Sequence, residues 1–222
     1  MKKYAVIVAG GAGIRMKTDL PKQFLMLGKL PVLMHTIEQF YKYDNNLEII
    51  IVLPKYQISF WENLCNQYKF VIKHQVVNGG KTRYLSVQNG LALVAEESLV
   101  AIHDGVRPLV SKEIIKQSYD FAERKGSAIA SVLLKDSIRK FEGGTTVAKN
   151  RSEYLLIQTP QTFNSSLIKQ AYNQTEPDDN FTDDASVFEA IHGNVILIIG
   201  DYKNLKITTP EDLVIAQALM VN

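Results

Sequence analysis

Cysteine is nearly absent from this sequence: Cys65 is the only one in 222 residues. A single thiol closes no intramolecular disulfide and assembles no thiolate metal cluster. Histidine is sparse, and His35, His74, His103 and His192 are scattered without the spacing of zinc ligands. An excess of one charge is missing too. Lys and Arg number 25 against 23 Asp and Glu, a formal net charge of +2. Nothing therefore pulls the whole chain toward nucleic acid or a membrane surface, neither is expected as a partner, and any anion site has to be local. No apolar run approaches the ~20 residues of a membrane span. The opening Met1–Gly10 has the outline of a secretion signal, but its apolar part is too short and runs straight into a glycine turn. It reads as a first strand, and the expected location is cytoplasmic. The Asn-x-Ser/Thr triplets at Asn164, Asn173 and Asn180 carry no meaning in that compartment. Internal repeats and low-complexity linkers are lacking. With 46% hydrophobic and 22% charged residues, the chain falls outside the disordered and fibrous classes.

What is present is alternation. Tyr4–Ala9, Ile49–Leu53, Leu99–His103, Ala128–Leu133 and Val195–Ile199 are short apolar runs, read as strands buried on both faces. Between them Val32, Leu33, Ile37, Phe40 and Tyr41 fall at helical spacing, as do Ile114, Ile115, Tyr119 and Ala122. Thr209 as N-cap and Pro210 at the first position open a last helix. This order predicts an α/β fold with a mainly parallel, doubly wound sheet in one domain spanning 1–222. In such sheets ligands bind beyond the carboxyl ends of the strands. Residues 135–158 break the rhythm. Ser137–Phe141 and Thr145–Lys149 are expected to form a hairpin across Gly143-Gly144. A lone hairpin is marginally stable, so it is expected to be a β-arm for dimerisation, a surface loop being the alternative.

Chemistry-bearing clusters sit after the strands. Ala9-Gly10-Gly11-Ala12-Gly13-Ile14-Arg15-Met16 is a glycine turn whose backbone N–H groups can approach a phosphate. It is neither the dinucleotide fingerprint nor the Walker pattern, because Met16 stands where each needs another residue. Arg15 and, in Pro21-Lys22-Gln23, Lys22 supply a guanidinium fork and a point charge for phosphoryl oxygens. A tight turn with two solvated cations is the alternative. In Gly79-Gly80-Lys81-Thr82-Arg83, basic residues stand at a helix N-terminus, where the dipole disfavours them. They indicate a nearby anion, or simply exposure. His103-Asp104-Gly105-Val106-Arg107 follows an apolar strand. Asp104 suits a metal or a substrate hydroxyl, and Arg107 a phosphate, a structural Asp–Arg pair being the alternative. Gln158-Thr159-Pro160-Gln161 and Thr182-Asp183-Asp184 offer hydroxyls and carboxylates for a polyol, although Thr182 can equally be a helix N-cap. Lys206, flanked by Leu205 and Ile207 and read as part of a strand, points away from them and suits a late phosphate clamp or a solvated face.

The ordered set Ala-Gly-Gly-x-Gly-x-Arg-Met, Pro-Lys-Gln, Gly-Gly-x-x-Arg-x-x-Ser-Val, His-Asp-x-x-Arg-Pro, Gln-Thr-Pro-Gln and Thr-Asp-Asp-Ala-Ser runs nearly end to end. In it the chain resembles the 2-C-methyl-D-erythritol 4-phosphate cytidylyltransferases of non-mevalonate isoprenoid synthesis. The resemblance implies a Rossmann-like nucleotidyltransferase fold, a divalent metal (Mg²⁺), a homodimer, and a reaction that joins CTP to a polyol phosphate with loss of pyrophosphate. By position it implies that Arg15 and Lys22 stabilise the α-phosphate in the transition state. Ala9, Gly10, Gly11, Ala12 and Gly13 would wrap the triphosphate. Gly80, Lys81 and Ser86 would hold cytosine and ribose, and Lys206 would stand near the phosphates. Asp104, Arg107, Thr159 and Thr182 would face the second substrate. Ser137 and Arg151, on the arm, would reach it across a dimer. Lys81 stands where an acidic residue is common, and Ser137 where threonine is usual. Ribitol 5-phosphate as second substrate, another nucleoside triphosphate, and a nucleotide-binding module without turnover are the alternatives. A phosphate nucleophile is already ionised at neutral pH, so no general base is required.

Overall fold

Residues 1–11, 16, 20–178 and 180–220 are described by a computed structural model of the chain. In chain order the elements begin with β1 (Lys3–Val8), the short ladder β2 (Met26–Leu27) and β3 (Leu30–Pro31), α1 (Val32–Tyr43), β4 (Glu48–Leu53) and α2 (Ile58–Gln67). They continue with β5 (Gln75–Asn78), α3 (Arg83–Leu91), β6 (Leu99–Asp104), α4 (Lys112–Lys125) and β7 (Ser127–Leu133). The last part holds β8 (Ile138–Glu142), β9 (Thr145–Lys149), β10 (Leu155–Asn164), α5 (Ser165–Gln174), α6 (Asp184–His192), β11 (Leu197–Ile199) and α7 (Pro210–Leu219). A seven-stranded sheet takes the order β11-β7-β10-β6-β1-β4-β5. Its neighbours run parallel except β10, which is antiparallel to both β6 and β7.

Successive strand residues face opposite layers. Ala5, Ile7, Ile49 and Ile51 pack with Phe40, Trp61 and Tyr119 from α1, α2 and α4. Tyr4, Val6, Ile50 and Val52 pack with Val87, Tyr172 and Phe188 from α3, α5 and α6. Cover on both faces is why Ile49–Leu53 shows no polar alternation. The helix ends follow local chemistry. Ser111 accepts from the Ile114 N–H to start α4, and Gly126, at φ +87°, ends it. Thr209 and Asp212 form a capping box on α7, with Pro210 in its first turn, as the sequence predicts. Tyr119 Oη donates to the Tyr4 carbonyl at 2.7 Å and ties α4 to the sheet.

The hairpin forms, with limbs β8 and β9. Gly143 and Gly144 both take positive φ, +54° and +84°, as a two-residue primed turn requires. Its first limb starts one residue later than expected.

Three sequence expectations need correction. In Val195–Ile199 the strand covers Leu197–Ile199 alone and sits at the sheet edge with Leu197 and Ile199 exposed, so it is not buried on both faces. Residues 205–208 are irregular and no strand places Lys206, although the Ile207 N–H donates to the Val106 carbonyl at 2.9 Å. The N-cap at the Thr182 position is Asp183 instead.

Candidate active site

The carboxyl ends of β1 and β6 and the turn that follows β5 open into a cavity of about 320 Å³. Gly10, Gly11, Lys22, Gly80, Arg83 and Ser86 are among its walls. A second cavity of about 210 Å³ adjoins it on the β10 side, walled by Arg107, Gln158, Thr159, Gln161, Thr182 and Asp183 among others. Arg83, Asp104 and Lys206 line both.

Ala9 closes β1 by donating its N–H to the Val52 carbonyl at 2.9 Å. Its own carbonyl accepts from Gln23 Nε2 at 2.8 Å, and the same nitrogen donates to Gln57 Oε1 at 2.7 Å. Gln23, fully buried, thus ties together the loops that follow β1 and β4. A Cβ on Gly11 would stand 3.7 Å from Lys22 Cε, so the Lys22 stem runs beside the glycine turn. Ala12, Gly13 and Arg15 lie outside the described residues.

The second glycine turn is held by Ser86. Its hydroxyl accepts from the Gly80 N–H at 3.1 Å and donates to the Thr82 carbonyl at 2.8 Å. Thr82 caps α3 by accepting from the Leu85 N–H. A Cβ on Gly80 would fall 2.3 Å from Leu85 Cβ, which only a glycine avoids. Lys81 is exposed at the rim. Arg83 has found its anion inside the protein: Nη1 and Nη2 donate to the two carboxylate oxygens of Asp184 at 2.8 and 2.6 Å. Of the two sequence readings for Arg83, a nearby anion holds, and the anion is a carboxylate of the protein itself.

Asp104, at the end of β6, is nearly buried and surrounded by cations. Arg107 Nε donates to its Oδ2 at 3.0 Å, and Lys206 Nζ lies 3.2 Å from the same oxygen. Burial opposes ionisation, but Lys206, Arg83 and Arg107 outweigh it and hold the carboxyl well below the usual range. Arg107 also donates to the Asn204 carbonyl at 2.8 Å, so the Asp–Arg pair is structural while lining the second cavity. Behind it runs a relay. The Asp104 N–H donates to Thr159 Oγ1 at 3.0 Å, and Thr159 Oγ1 lies 3.0 Å from His103 Nδ1. His103 Nε2 stands 3.2 Å from the Arg107 carbonyl. The network is satisfied when Thr159 donates to Nδ1 and Nε2 carries the proton, a neutral ring assigned from its partners. Burial pushes this imidazole down to about 4, which agrees. His103 is therefore a brace and not a base.

Thr159 and Thr182 reach the second cavity; Ser137 and Arg151 do not line either. Both sit exposed on the arm, where Arg151 Nη1 donates to the Lys135 carbonyl. Sequence reasoning missed Gln23, Gln161 and Asn204. Gln161 donates to Asp183 Oδ2 and accepts from the Ala185 N–H. Asn204 donates to the Thr159 carbonyl at 2.8 Å. Uncharged amides in polar stretches give no periodic signal, and their partners lie far along the chain.

Among the described residues no three His, Cys, Asp or Glu converge to hold a metal. Among the described residues Asp104 is the one carboxylate that lines the first cavity, and Arg107 and Lys206 both pair with its Oδ2. Such a donor set fits Mg²⁺ arriving on a triphosphate, which needs one or two carboxylates and keeps its waters, and not a protein-caged ion.

The model of the family described as "IspD: 2-C-methyl-D-erythritol 4-phosphate cytidylyltransferase" matches residues 4–222. A protein of that name from Bacteroides thetaiotaomicron is 50% identical over 220 residues, covering 99% of this chain and 100% of its own. The crystal structure of 4-diphosphocytidyl-2C-methyl-D-erythritol synthase from Anaerococcus prevotii superposes with TM-score 0.83 at 30% identity, covering 100% of this chain and 96% of its own. The Thermus thermophilus 2-C-methyl-D-erythritol 4-phosphate cytidylyltransferase superposes with TM-score 0.81 at 28% identity, covering 100% of each chain.

Proposed function

The chain belongs to the 2-C-methyl-D-erythritol 4-phosphate cytidylyltransferase family, and from that membership we propose that its two adjoining cavities are the CTP and polyol-phosphate halves of one active site. It is a nucleotidyltransferase that joins CTP to 2-C-methyl-D-erythritol 4-phosphate, giving 4-CDP-2-C-methyl-D-erythritol and pyrophosphate. The observation that carries the assignment of the cavities is their shared wall of Arg83, Asp104 and Lys206. A shared wall lets one ligand's phosphorus meet another ligand's phosphate.

In this reading Gly10 and Gly11 offer backbone N–H groups to the triphosphate, and Lys22 offsets charge that builds on the α-phosphoryl oxygens during displacement. Arg15 is assigned the same task. Lys206, anchored by Asp104, sits where the two polyanions approach and reduces their repulsion. Mg²⁺ bound to the triphosphate supplies further charge neutralisation there. Gly80 and Lys81 flank the base and ribose, with Ser86 fixing the turn. Asp104, Arg107, Thr159 and Thr182 receive the polyol phosphate. Its phosphate oxygen, already ionised, attacks the α-phosphorus and pyrophosphate leaves, so alignment and charge do the work and no base is needed. The buried, fully engaged His103 fits that economy.

A homodimer in the cytoplasm completes the reading. Leu133, Phe141, Leu155, Leu156 and Ile157, on the arm and at its root, are all exposed, a surface that suits a second copy. Ser137 and Arg151 would then serve the partner's second cavity. The test is pyrophosphate release with CTP, ATP, GTP and UTP crossed against methylerythritol 4-phosphate and ribitol 5-phosphate. Turnover is expected with CTP and methylerythritol 4-phosphate. Preference for any other pair would overturn the reading.

A further inference from the structure

Arg83 stands at the first position of α3, where the helix dipole disfavours a cation, yet it is fixed there in a bidentate pair. Its partner, Asp184, is fully buried at the first turn of α6, where the dipole favours an anion. Tyr172 Oη donates to Asp184 Oδ1 at 2.7 Å, so both carboxylate oxygens are occupied. Tyr172 in turn packs against Tyr84, ring centroids 4.6 Å apart, and the Tyr84 hydroxyl donates to the Tyr172 carbonyl. The pair thus joins two helix starts that are 101 residues apart in sequence. The start of α3, with Gly80, Lys81 and Ser86, walls the first cavity. The start of α6, with Thr182 and Asp183, walls the second. Asp184 neutralises Arg83, which therefore brings fixed shape and spare N–H donors to both cavities with little net charge.

We infer that Arg83, clamped by Asp184, is a positioning residue that sets the distance and angle between the two substrates by locking the wall of one cavity to the wall of the other. The inference rests on the reading of the cavities given above. Each substrate finds most of its contacts within its own cavity, so loosening the clamp leaves separate binding nearly intact. The loss falls on turnover, because reacting atoms displaced by about 1 Å can forfeit on the order of 100-fold in rate.

The test uses Asp184→Asn, Arg83→Lys and their double variant in the full-length enzyme. Arg83→Lys keeps the charge and loses the fork. Calorimetric dissociation constants for CTP alone and for methylerythritol 4-phosphate alone are expected to stay within about threefold of wild type, and kcat to fall by roughly 10- to 100-fold. The double variant is expected to lose about as much as either single one, because the pair acts as a unit. Tyr172→Phe, which deletes one bond to Asp184, is expected to lower kcat in the same way by a smaller factor, and with Arg83→Lys it serves if Asp184→Asn does not fold. Wild-type kcat in the folded variants, a loss confined to the CTP dissociation constant, or additive losses in the double variant would overturn the inference. Absence of pyrophosphate release by the wild-type enzyme with this substrate pair would instead overturn the functional reading.

Discussion

His103 stands next to Asp104 yet is fully buried, with both ring nitrogens engaged and Phe40 packed against the ring at 5.0 Å. Its pKa falls to about 4 in the fold, against 6.5 for an unperturbed imidazole. Between these values the unfolded chain binds the extra proton and the folded one does not. The fold keeps its full stability above pH 6.5, and loses on the order of 3 kcal/mol from this group as pH drops to 4. Urea midpoints taken from pH 7 to pH 4.5 are expected to show that slope in the wild type. His103→Gln should be less stable at pH 7 but flatter in pH, with a remainder from His74, whose pKa is also lowered by burial. An unchanged slope in the variant would place the acid sensitivity elsewhere. The Asp104–Arg107 pair was readable from the sequence because its members are three residues apart at a strand's end. The Arg83–Asp184 pair was not, although a cation at a helix N-terminus pointed to a nearby anion as one of two readings.

At the scale of elements, the turn before α3 is a tightly constrained piece of the first cavity. Gly80→Ala would drive a Cβ to 2.3 Å from Leu85 Cβ and 3.0 Å from the Leu85 carbonyl carbon. The turn must shift, and CTP affinity measured by calorimetry is expected to drop about tenfold or more, equivalent to about 1.4 kcal/mol. The melting temperature should hardly move, since the turn is exposed. Unchanged CTP affinity would mean that the turn lies outside the nucleotide site. The strands β1, β4, β6 and β7 were legible because burial on both faces leaves an unbroken apolar run. The strands β5 and β10 were not. β5 is an edge strand of mixed exposure. β10 contains Gln158-Thr159-Pro160-Gln161, and its register with β7 jumps between Ile157 and Gln161. That irregularity turns polar side chains toward the second cavity, so the feature that hid the strand is the one that serves the site.

For the whole molecule, the arm carries Ser137 and Arg151 away from the chain's own cavities. Lys22→Ala and Arg151→Ala are each expected to be nearly inactive alone, the first by losing transition-state charge and the second by losing a contact to the polyol phosphate. Mixed under conditions that exchange subunits, they should recover about a quarter of wild-type activity, since roughly half the dimers become hybrids and each hybrid has one intact site. No recovery would count against sites completed across a dimer. The sheet order also sets a timetable for synthesis on the ribosome. Strands β5, β4, β1 and β6 are adjacent and all lie within the first 104 residues, whereas β7 meets β6 through β10 alone. The half that carries most of the first cavity can therefore assemble from the emerging N-terminal portion, while the other half waits for a late antiparallel insertion with long-range pairing, which closes slowly. A nascent chain halted before residue 155 would own most of a pocket for one reactant and, of the other, only Arg83, Asp104 and Arg107.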